Sequence, residues 1–441
     1  MGLSRSLTAA QTSLLAHQRR LDVIANNVAN VNTIGYKASR ARFAENVIQR
    51  LGIGTLPIVS GADIGGVDPL QIGLGVRLAA TVADMAQGTI TPTNRPLDVA
   101  VRGDGFFVVQ LNGRQLFTRA GSFTLDSRGN LVDTATGALV QGYGIVLDAN
   151  GLPVRDSSGN TVLSRQVGAL RIPLGLRSPA HQTERVRLSG NLSAEMADGE
   201  SIATSILIYD SRGVTHVLRL ELRKTATPGE FELTATLDEQ PLTLPTGSSP
   251  VRFRGDGTLE SPLSVVIPGA ELNTALGANP PVFDPAKSLT IELAPQGSLL
   301  SGVTQMSGPS TLAVIEQDGY GIGELVDLRI DSTGKLLGSF SNGRTEVLGQ
   351  LVLAQFLNPG GLLREGDNFF AVSPNSGAPI LGTAGELFSG TSVVGGAVEE
   401  SNVELTTEFT ELIATQRAFE AAARIVTVSD QILAEVNALK R

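Results

Sequence analysis

The chain of 441 residues contains no cysteine. Disulfide bonds and thiolate-bound metal sites are therefore excluded. Charged residues make up 17% of the chain and aromatic residues only 4%, so a large aromatic core is not available. With 41% hydrophobic residues and a net charge of −9, the composition is nevertheless that of a folded protein. By length alone, we expect roughly two to four domains.

The chain also lacks basic runs and long apolar runs. Its acidic balance argues against nucleic acid or an anionic membrane surface as the main partner. No stretch of about 20 apolar residues is present, so we predict no membrane insertion. Residues 1–31 are amphipathic, and their polar positions interrupt any hydrophobic core of a secretory signal. The protein is therefore expected to remain in the cytosol or to leave the cell without a cleaved signal peptide.

What the chain does have is an apolar stripe at each end. Apolar residues recur there at alternating steps of three and four: Leu3, Leu7, Ala10, Leu14, Leu21, Ile24, Val28 and Val31 at the front, and Phe409, Leu412, Ile413, Phe419, Ala423, Val426 and Leu433 at the back. This spacing predicts two terminal coiled-coil helices, the first over about 3–31. Neither helix can bury such a stripe alone, so the stripes should pair with each other or with copies in neighbouring subunits.

We predict that these stripes form the interface between subunits. The predicted interface residues are Leu3, Leu7, Leu14, Leu21, Ile24, Val28, Phe409, Leu412, Phe419, Val426 and Leu433. The alternative is an ordinary core, in which both helices pack on the β lobes of one monomer. Two features favour the interface: the helices lie at the chain ends, which are usually loose unless tied down, and they are longer than a small β lobe needs.

Between the helices the pattern changes to that of β-structure. Residues 97–101 alternate between apolar and polar side chains, and Asn112-Gly113 separates two strand-like runs as a tight hairpin turn would. Asp-Ser-x-Gly tetrapeptides, which favour type I turns, begin at Asp126, Asp156, Asp210 and Asp331. Asn342-Gly343 predicts another turn. We therefore expect antiparallel β-structure from about 76 to 400.

Pairing of the two terminal helices would bring the ends of the chain together and nest the domains. We predict a terminal helical domain (1–35 and 405–441), an extended connector (36–75) and a discontinuous inner β domain (76–146 and 311–404). An outer β domain (147–310) is then inserted into the inner one. The predicted fold class is α+β and mainly β, with antiparallel lobes nested between coiled-coil helices.

The sequence contains few groups suited to catalysis. His17, His181 and His216 have no second histidine at a metal-ligand spacing. No nucleophile elbow and no phosphate-binding loop is present, and the glycine-rich segment 319–323 leads into a strand pattern. A pair of catalytic carboxylates depends on the fold and stays open, although turn geometry already explains most aspartates. We predict no catalytic site, no metal and no cofactor, hence no enzyme.

Several motifs resemble those of the bacterial flagellar axial proteins. The segment Asn26-Asn27-Val28-Ala29-Asn30-Val31-Asn32-Thr33-Ile34-Gly35-Tyr36-Lys37 is similar to their N-terminal signature. Leu97–Val101, Gly105–Phe107 and Thr118–Phe123 are similar to the next shared blocks. Tyr209–Gly213, Leu348–Ala354, Gly366–Phe370, Ser376-Gly377, Leu381–Gly385 and Ala397–Val403 are similar to hook subunits in particular. The length and the long central insertion favour the hook over the shorter rod subunits.

The resemblance implies a helical homopolymer, a flexible curved tube that transmits torque from rod to filament. It implies contacts with rod and hook–filament junction proteins, and with the hook cap and the type III export apparatus during assembly. The location would be the extracellular hook. Two alternatives stay open: a distal rod subunit of the basal body, and a secreted β-rich adhesin or hydrolase. The segment 51–72 is longer than the corresponding connector of the shorter hook proteins.

Overall fold

The computed structural model describes residues 2–54, 68–148, 153–156, 161–173, 175–295, 301–386, 388 and 390–439. The chain divides into two compact units. Unit 1 contains Met1–Leu174, Leu328–Gly338 and Glu346–Arg441, and unit 2 contains Gly175–Asp327 and Ser339–Thr345. Strands account for 43% of the structure and helices for 17%, so the predicted mainly β fold with terminal helices is confirmed.

Two long helices begin and end the chain. They are α1 (Gly2–Ala29) and α3 (Leu405–Leu439), whereas α2 (Gly269–Leu276) is a short helix of unit 2. A 3-10 helix covers Pro359–Gly361. The asparagine-rich end of α1 terminates the helix two residues before the predicted Val31. Among the described residues, none of the helices has an apolar stretch of the length that a bilayer crossing requires.

Most strands of unit 1 precede or follow the central part of the chain. The early ones are β1 (Ser39–Glu45), β2 (Ile48–Arg50), β3 (Gln71–Gly73), β4 (Val76–Ala83), β5 (Ile90–Pro92), β6 (Val99–Arg102), β7 (Phe106–Leu111), β8 (Arg114–Thr118), β9 (Phe123–Leu125), β10 (Leu131–Asp133), β11 (Leu139–Gly144) and β12 (Gly168–Ala169).

The strands of unit 2 follow. They are β13 (Arg177–Ser178), β14 (Arg185–Ser193), β15 (Ser201–Tyr209), β16 (Thr215–Lys224), β17 (Glu230–Leu237), β18 (Gln240–Leu242), β19 (Val251–Phe253), β20 (Leu259–Ser261), β21 (Ser264–Pro268), β22 (Ser288–Glu292), β23 (Val303–Met306) and β24 (Ala313–Gln317). Three strands contain residues of both units: β25 (Gly323–Ile330), β26 (Lys335–Phe340) and β27 (Thr345–Leu351). The chain ends in unit 1 with β28 (Leu353–Gln355), β29 (Leu363–Gly366), β30 (Phe369–Ala371), β31 (Ile380–Gly382), β32 (Ser392–Gly395) and β33 (Ala397–Glu399).

The core of unit 1 lies on a sheet in which β11, β7, β8, β30 and β29 are neighbours in this order. Strands β7 and β8 form the predicted hairpin, and both Asn112 and Gly113 have the positive φ of a tight primed turn. Three phenylalanines of this core, Phe106, Phe117 and Phe356, meet edge to face. Strands β1 and β4 form a separate two-stranded ribbon. Part of the segment predicted as a connector (36–75) is therefore paired β-structure. The sequence favours a strand there, since Ala41 and Phe43 alternate with outward-facing arginines.

Unit 2 contains two sheets around one apolar core. Strands β15, β16, β17, β19 and β20 form one sheet in this order, and β21, β22, β14 and β23 form the other. In the second sheet β14 pairs in parallel with β22 and β23, so the prediction of purely antiparallel strands is wrong there. These partners are about a hundred residues away along the chain, and such long connections permit parallel pairing where hairpins do not.

The Asp-Ser-x-Gly turns are confirmed at three of the four predicted positions. At Asp126, Asp210 and Asp331 the carboxylate accepts hydrogen bonds from the amides two and four residues later, at 2.8–2.9 Å. The glycine at the fourth position of each has a φ between +75° and +85°. The turn predicted at Asp156 falls largely on residues 157–160, outside the described part of the chain. Gly343 also lies in a turn, as predicted.

Candidate assembly surface

Helix α1 lies between two other elements of unit 1. One side packs on α3, and another packs on the β1–β4 ribbon. His17 meets Phe43 of β1 edge to face, with ring centroids 5.9 Å apart. At the helix pair, a guanidinium nitrogen of Arg20 lies 3.2 Å from a carboxylate oxygen of Glu411. The two terminal helices are thus paired within one chain.

The fully buried positions of α3 hold small or polar side chains, whereas Leu412 and Val426 beside them are half-buried. Glu408, Thr415, Ala422 and Ser429 recur at seven-residue intervals and are only 1–4% exposed. A seven-residue repeat is typical of a coiled-coil seam. The period agrees with the sequence prediction, but the buried positions differ from the predicted stripe. Small residues occupy the seam because they allow two helix axes to approach closely.

The predicted interface residues are therefore distributed over several environments. Ile24 is buried; Leu7, Leu14, Leu21, Val28, Leu412 and Val426 are half-buried; Phe409, Phe419 and Leu433 are exposed. The side chain of Leu3 lies outside the described residues. The residues of α1 are mostly covered within the chain, whereas the largest apolar side chains of α3 are not.

Six of the exposed apolar residues of α3 form two separate patches. The front flank consists of Leu405, Phe409 and Ile413, and the rear flank of Ile425, Val428 and Ile432. These six side chains are 39–58% exposed. At about 100° per residue, Phe409 and Val428 point in directions about 100° apart around the helix axis. A single α3 therefore offers one apolar patch near its start and another, on a different face, near its end.

A buried ion cluster ties the helix pair to the β-structure of unit 1. The ammonium group of Lys37 lies 2.6 Å from one carboxylate oxygen of Glu399, and a guanidinium nitrogen of Arg119 lies 3.4 Å from the other. All three side chains are at most 3% exposed. Lys37 also donates to the carbonyl of Ala86 at 2.7 Å, and the amide of Gly88 donates to Glu399 at 2.8 Å.

Burial dominates the electrostatics of this cluster. Burial lowers the pKa of Lys37, and the adjacent Glu399 carboxylate partly opposes that shift. The pKa of Arg119 is also lowered by burial, although an arginine stays charged throughout the accessible pH range. Two cations share one buried carboxylate, so the cluster depends on Glu399.

The asparagines at the end of α1 make structural contacts that the sequence prediction missed. Asn27, 1% exposed, donates to the carbonyl of Ser39 and accepts from its amide, both at 2.8 Å. The Tyr36 hydroxyl donates to Asn26 at 2.8 Å. From the other end of the chain, Asn402 accepts from the amide of Ala38 at 2.7 Å. These side chains join the end of α1, the start of β1 and the approach to α3.

The three histidines have packing partners. Besides His17 on Phe43, His181 stacks on Tyr320, and His216 lies 2.7 Å from a carboxylate oxygen of Asp238. Burial, followed by the charge of Arg20, lowers the pKa of His17. Within the described residues, no group of three or more His, Asp and Glu side chains could hold a metal ion.

Comparison with known proteins gives matches along most of the chain. Four family models match: "Flagella basal body rod protein" over residues 7–37, "Flagellar hook protein FlgE/F/G D1 domain" over 100–173, "Flagellar basal body protein FlaE D2 domain" over 188–320, and "Flagellar basal body rod FlgEFG protein C-terminal" over 394–439. The third match falls within unit 2, and the first and last cover most of the two terminal helices.

Full-length relatives are similar to the whole chain. It is 34% identical to the flagellar hook protein FlgE of Treponema pallidum, with all of both chains covered. It is 32% identical to FlgE of Salmonella typhimurium, over 97% of this chain and 98% of that protein. The crystal structure of the Helicobacter pylori flagellar hook protein FlgE2 aligns over 69% of this chain and 98% of that one, at 17% identity and a TM-score of 0.46. The chain therefore belongs to the flagellar hook protein family and is a structural subunit of the bacterial flagellum.

Proposed function

We propose that this chain polymerises into the flexible curved tube of the flagellar hook and that the exposed flanks of α3 are its inner subunit contacts. The observation that carries this proposal is the placement of the largest apolar side chains of α3. They stay exposed although α3 packs on α1, because the fully buried positions of α3 are occupied by small or polar side chains. Burying one half-exposed side chain of this kind contributes about 1 kcal/mol.

Two flanks on different faces fit a helical polymer. A tube requires heterologous interfaces, in which one surface of a subunit meets a different surface of the next copy. The front flank and the rear flank would each contact a different neighbour. Of the predicted interface residues, Phe409 belongs to the front flank, whereas Phe419 and Leu433, each 36% exposed, belong to neither flank. Leu7, Leu14, Leu21, Ile24 and Val28 would support α3 from within the chain.

The hook is favoured over the alternatives by the central part of the chain. A rod subunit would largely lack residues 147–310, whereas residues 188–320 here match a D2 domain. A secreted adhesin or hydrolase is disfavoured by the full-length relatives. We further propose that the polymer joins rod and hook–filament junction proteins, and that the hook cap assists its assembly. Export would use the type III apparatus without a cleaved signal peptide.

The assembly test replaces exposed apolar residues of α3 from the predicted interface with a charge. Phe409→Asp and Phe419→Asp should each raise the subunit concentration needed for polymerisation at least about a hundredfold, because about 3 kcal/mol of contact and desolvation energy would be lost. Sedimentation and electron microscopy of the purified chain would measure this. Leu14→Asp should also prevent assembly, but Leu14 is half-buried within the chain, so that variant tests the fold as well.

Thr410→Asp is the matched control. Thr410 is exposed on the same turn of α3 as Phe409 but belongs to neither flank, and its hydroxyl already bonds to the carbonyl of Thr406 within the helix. The Thr410→Asp substitution introduces the same charge as Phe409→Asp without removing an apolar side chain, so this variant should polymerise like the wild type. Normal polymerisation of Phe409→Asp and Phe419→Asp, with unchanged circular dichroism, would refute the proposed contacts.

A further inference from the structure

Two asparagine–glycine pairs lie in turns of this structure and differ in how firmly they are held. Asn112-Gly113 connects β7 to β8 in unit 1, and Asn342-Gly343 follows β26 in unit 2. Their glycines have nearly the same φ, +78° and +79°. A third pair, Asn150-Gly151, lies outside the described residues. The two described pairs are therefore chemically alike, and any difference in their reactivity has to come from their surroundings.

An asparagine side chain can react with the backbone that follows it. The amide nitrogen of the next residue attacks the side-chain Cγ atom, the bond from Cγ to Nδ2 breaks, and ammonia leaves with the proton that the amide loses. The product is a cyclic imide, and one water molecule opens it to isoaspartate or aspartate. Glycine favours this reaction because it lacks a side chain and lets the backbone turn freely. The reaction further requires an unbound carboxamide and an unbound amide.

The turn at Asn112-Gly113 meets these requirements. Both residues are exposed. Within the part of the chain that the structure describes, the Asn112 carboxamide makes no hydrogen bond and the Gly113 amide has no acceptor. No atom lies within 4 Å of the position that a Cβ atom on Gly113 would occupy. The backbone at this turn can thus rotate toward the Asn112 side chain without meeting another segment.

At Asn342-Gly343 the same groups are occupied. Asn342 donates from Nδ2 to the carbonyl of Gly321 at 3.0 Å and accepts at Oδ1 from the amide of Arg344 at 3.1 Å. The Gly343 amide donates to the carbonyl three residues earlier, at 2.9 Å. A Cβ atom on Gly323 would lie 2.5 Å from the Asn342 Cγ atom, so the carboxamide packs directly on that backbone. Reaction at Asn342 would first break three hydrogen bonds.

We propose that Asn112 is a site of spontaneous deamidation in the folded protein and that the fold protects Asn342. The product has a new carboxylate one residue away from Gly113 and close in sequence to Arg114, which pairs with Glu365 on the surface. As isoaspartate it also has an additional methylene group in the backbone. A tight primed turn fits two residues of ordinary length, so the adjacent Leu111–Arg114 pair of the ladder should open more easily.

The modification would mark the age of a subunit. Ammonia escapes into solvent, so the reaction does not reverse and the modified fraction increases with time. The proposal concerns a hairpin of unit 1 in the single chain and does not rest on the proposed function.

Peptide mapping by mass spectrometry tests the proposal. The purified full-length chain is incubated at neutral pH, and the deamidated fraction at each asparagine is followed over time. Deamidation should be at least about tenfold faster at Asn112 than at Asn342, because three hydrogen bonds oppose the reaction at Asn342. The rate at Asn112 should increase with pH, since the attacking amide nitrogen must lose its proton.

Unfolding provides the matched control. In guanidinium chloride the two pairs keep their sequence but lose their surroundings, so their rates should become similar. Asn112→Gly keeps a turn sequence that hairpins favour and removes the reactive carboxamide. Incubation of the wild type should speed amide hydrogen exchange at Arg114, whereas incubation of Asn112→Gly should leave that exchange unchanged.

A native Asn112 rate equal to or below the Asn342 rate would overturn the proposal. A difference of the same size in guanidinium chloride would also overturn it, because neighbouring residues in sequence, and not the fold, would then set the rates. All these rates are measured on unpolymerised chain. Failure of the wild type to polymerise would therefore count against the proposed function and leave the deamidation result intact.

Discussion

Replacing Glu399 with alanine is expected to lower the free energy of unfolding of unit 1 by about 3–5 kcal/mol. The change would leave the ammonium of Lys37 and the guanidinium of Arg119 buried without a counter-charge, and the amide of Gly88 without its acceptor. Urea unfolding followed by far-ultraviolet circular dichroism, together with amide hydrogen exchange at Gly88, would measure the loss.

Glu365→Ala is the matched control for this loss. Glu365 pairs with Arg114 at 3.0 Å, but on the surface, where its side chain is 33% exposed and that of Arg114 is 64% exposed. Surface ion pairs contribute about 0–1 kcal/mol. If Glu399→Ala destabilises unit 1 no more than Glu365→Ala does, the buried cluster does not hold the junction between the helix pair and the β-structure.

Features encoded within a few residues could be predicted from the sequence. In the turns at Asp126, Asp210 and Asp331, one carboxylate and one glycine determine the geometry over five residues. The Asn112-Gly113 hairpin is equally local. In such cases the side chain and the backbone it organises are neighbours in sequence.

The seam of the terminal helices shows where a pattern is informative but incomplete. The seven-residue period was recognisable, because coiled-coil packing imposes it. Which residues of that period face α1 could not be recognised, because a search for large apolar residues selects Phe409 and Phe419, which the structure leaves exposed. The buried positions hold Glu408, Thr415 and Ser429, which resemble surface residues in sequence. A useful signal would have been the recurrence of small or polar residues at a strict interval of seven.

The buried ion cluster could not be found from spacing at all. Lys37 and Glu399 are 362 residues apart, and only the folded chain brings them together. The sequence offered one hint of a buried charge at Glu399, which directly follows two apolar residues of the strand β33. The parallel pairing of β14 could not be predicted from local alternation either. Its partners β22 and β23 are distant in sequence, and only the fold of unit 2 brings them beside it.

Replacing Gly35 with alanine should destabilise unit 1 by about 2–5 kcal/mol. Gly35 has a φ of +68°, which costs an L-residue about 1–2 kcal/mol. In addition, a Cβ atom there would lie 2.4 Å from the backbone nitrogen of Ala120, and relieving such a clash costs about 1–3 kcal/mol more. Any shift of the chain at this point would also strain the hydrogen bond from the Gly35 amide to the Glu399 carbonyl, 2.7 Å long. The midpoint of urea unfolding is the measurement.

Gly137→Ala separates the two contributions. Gly137 has a φ of +71°, nearly the same as Gly35, but no atom lies within 4 Å of an added Cβ. This control should therefore show the conformational cost alone, about 1–2 kcal/mol. Equal losses in both variants would mean that the backbone around Ala120 can move aside. The glycine of the N-terminal signature would then be required only for its turn, whereas a larger loss at Gly35 would show that it is required for close packing of α1 and β1 against the β-structure of unit 1.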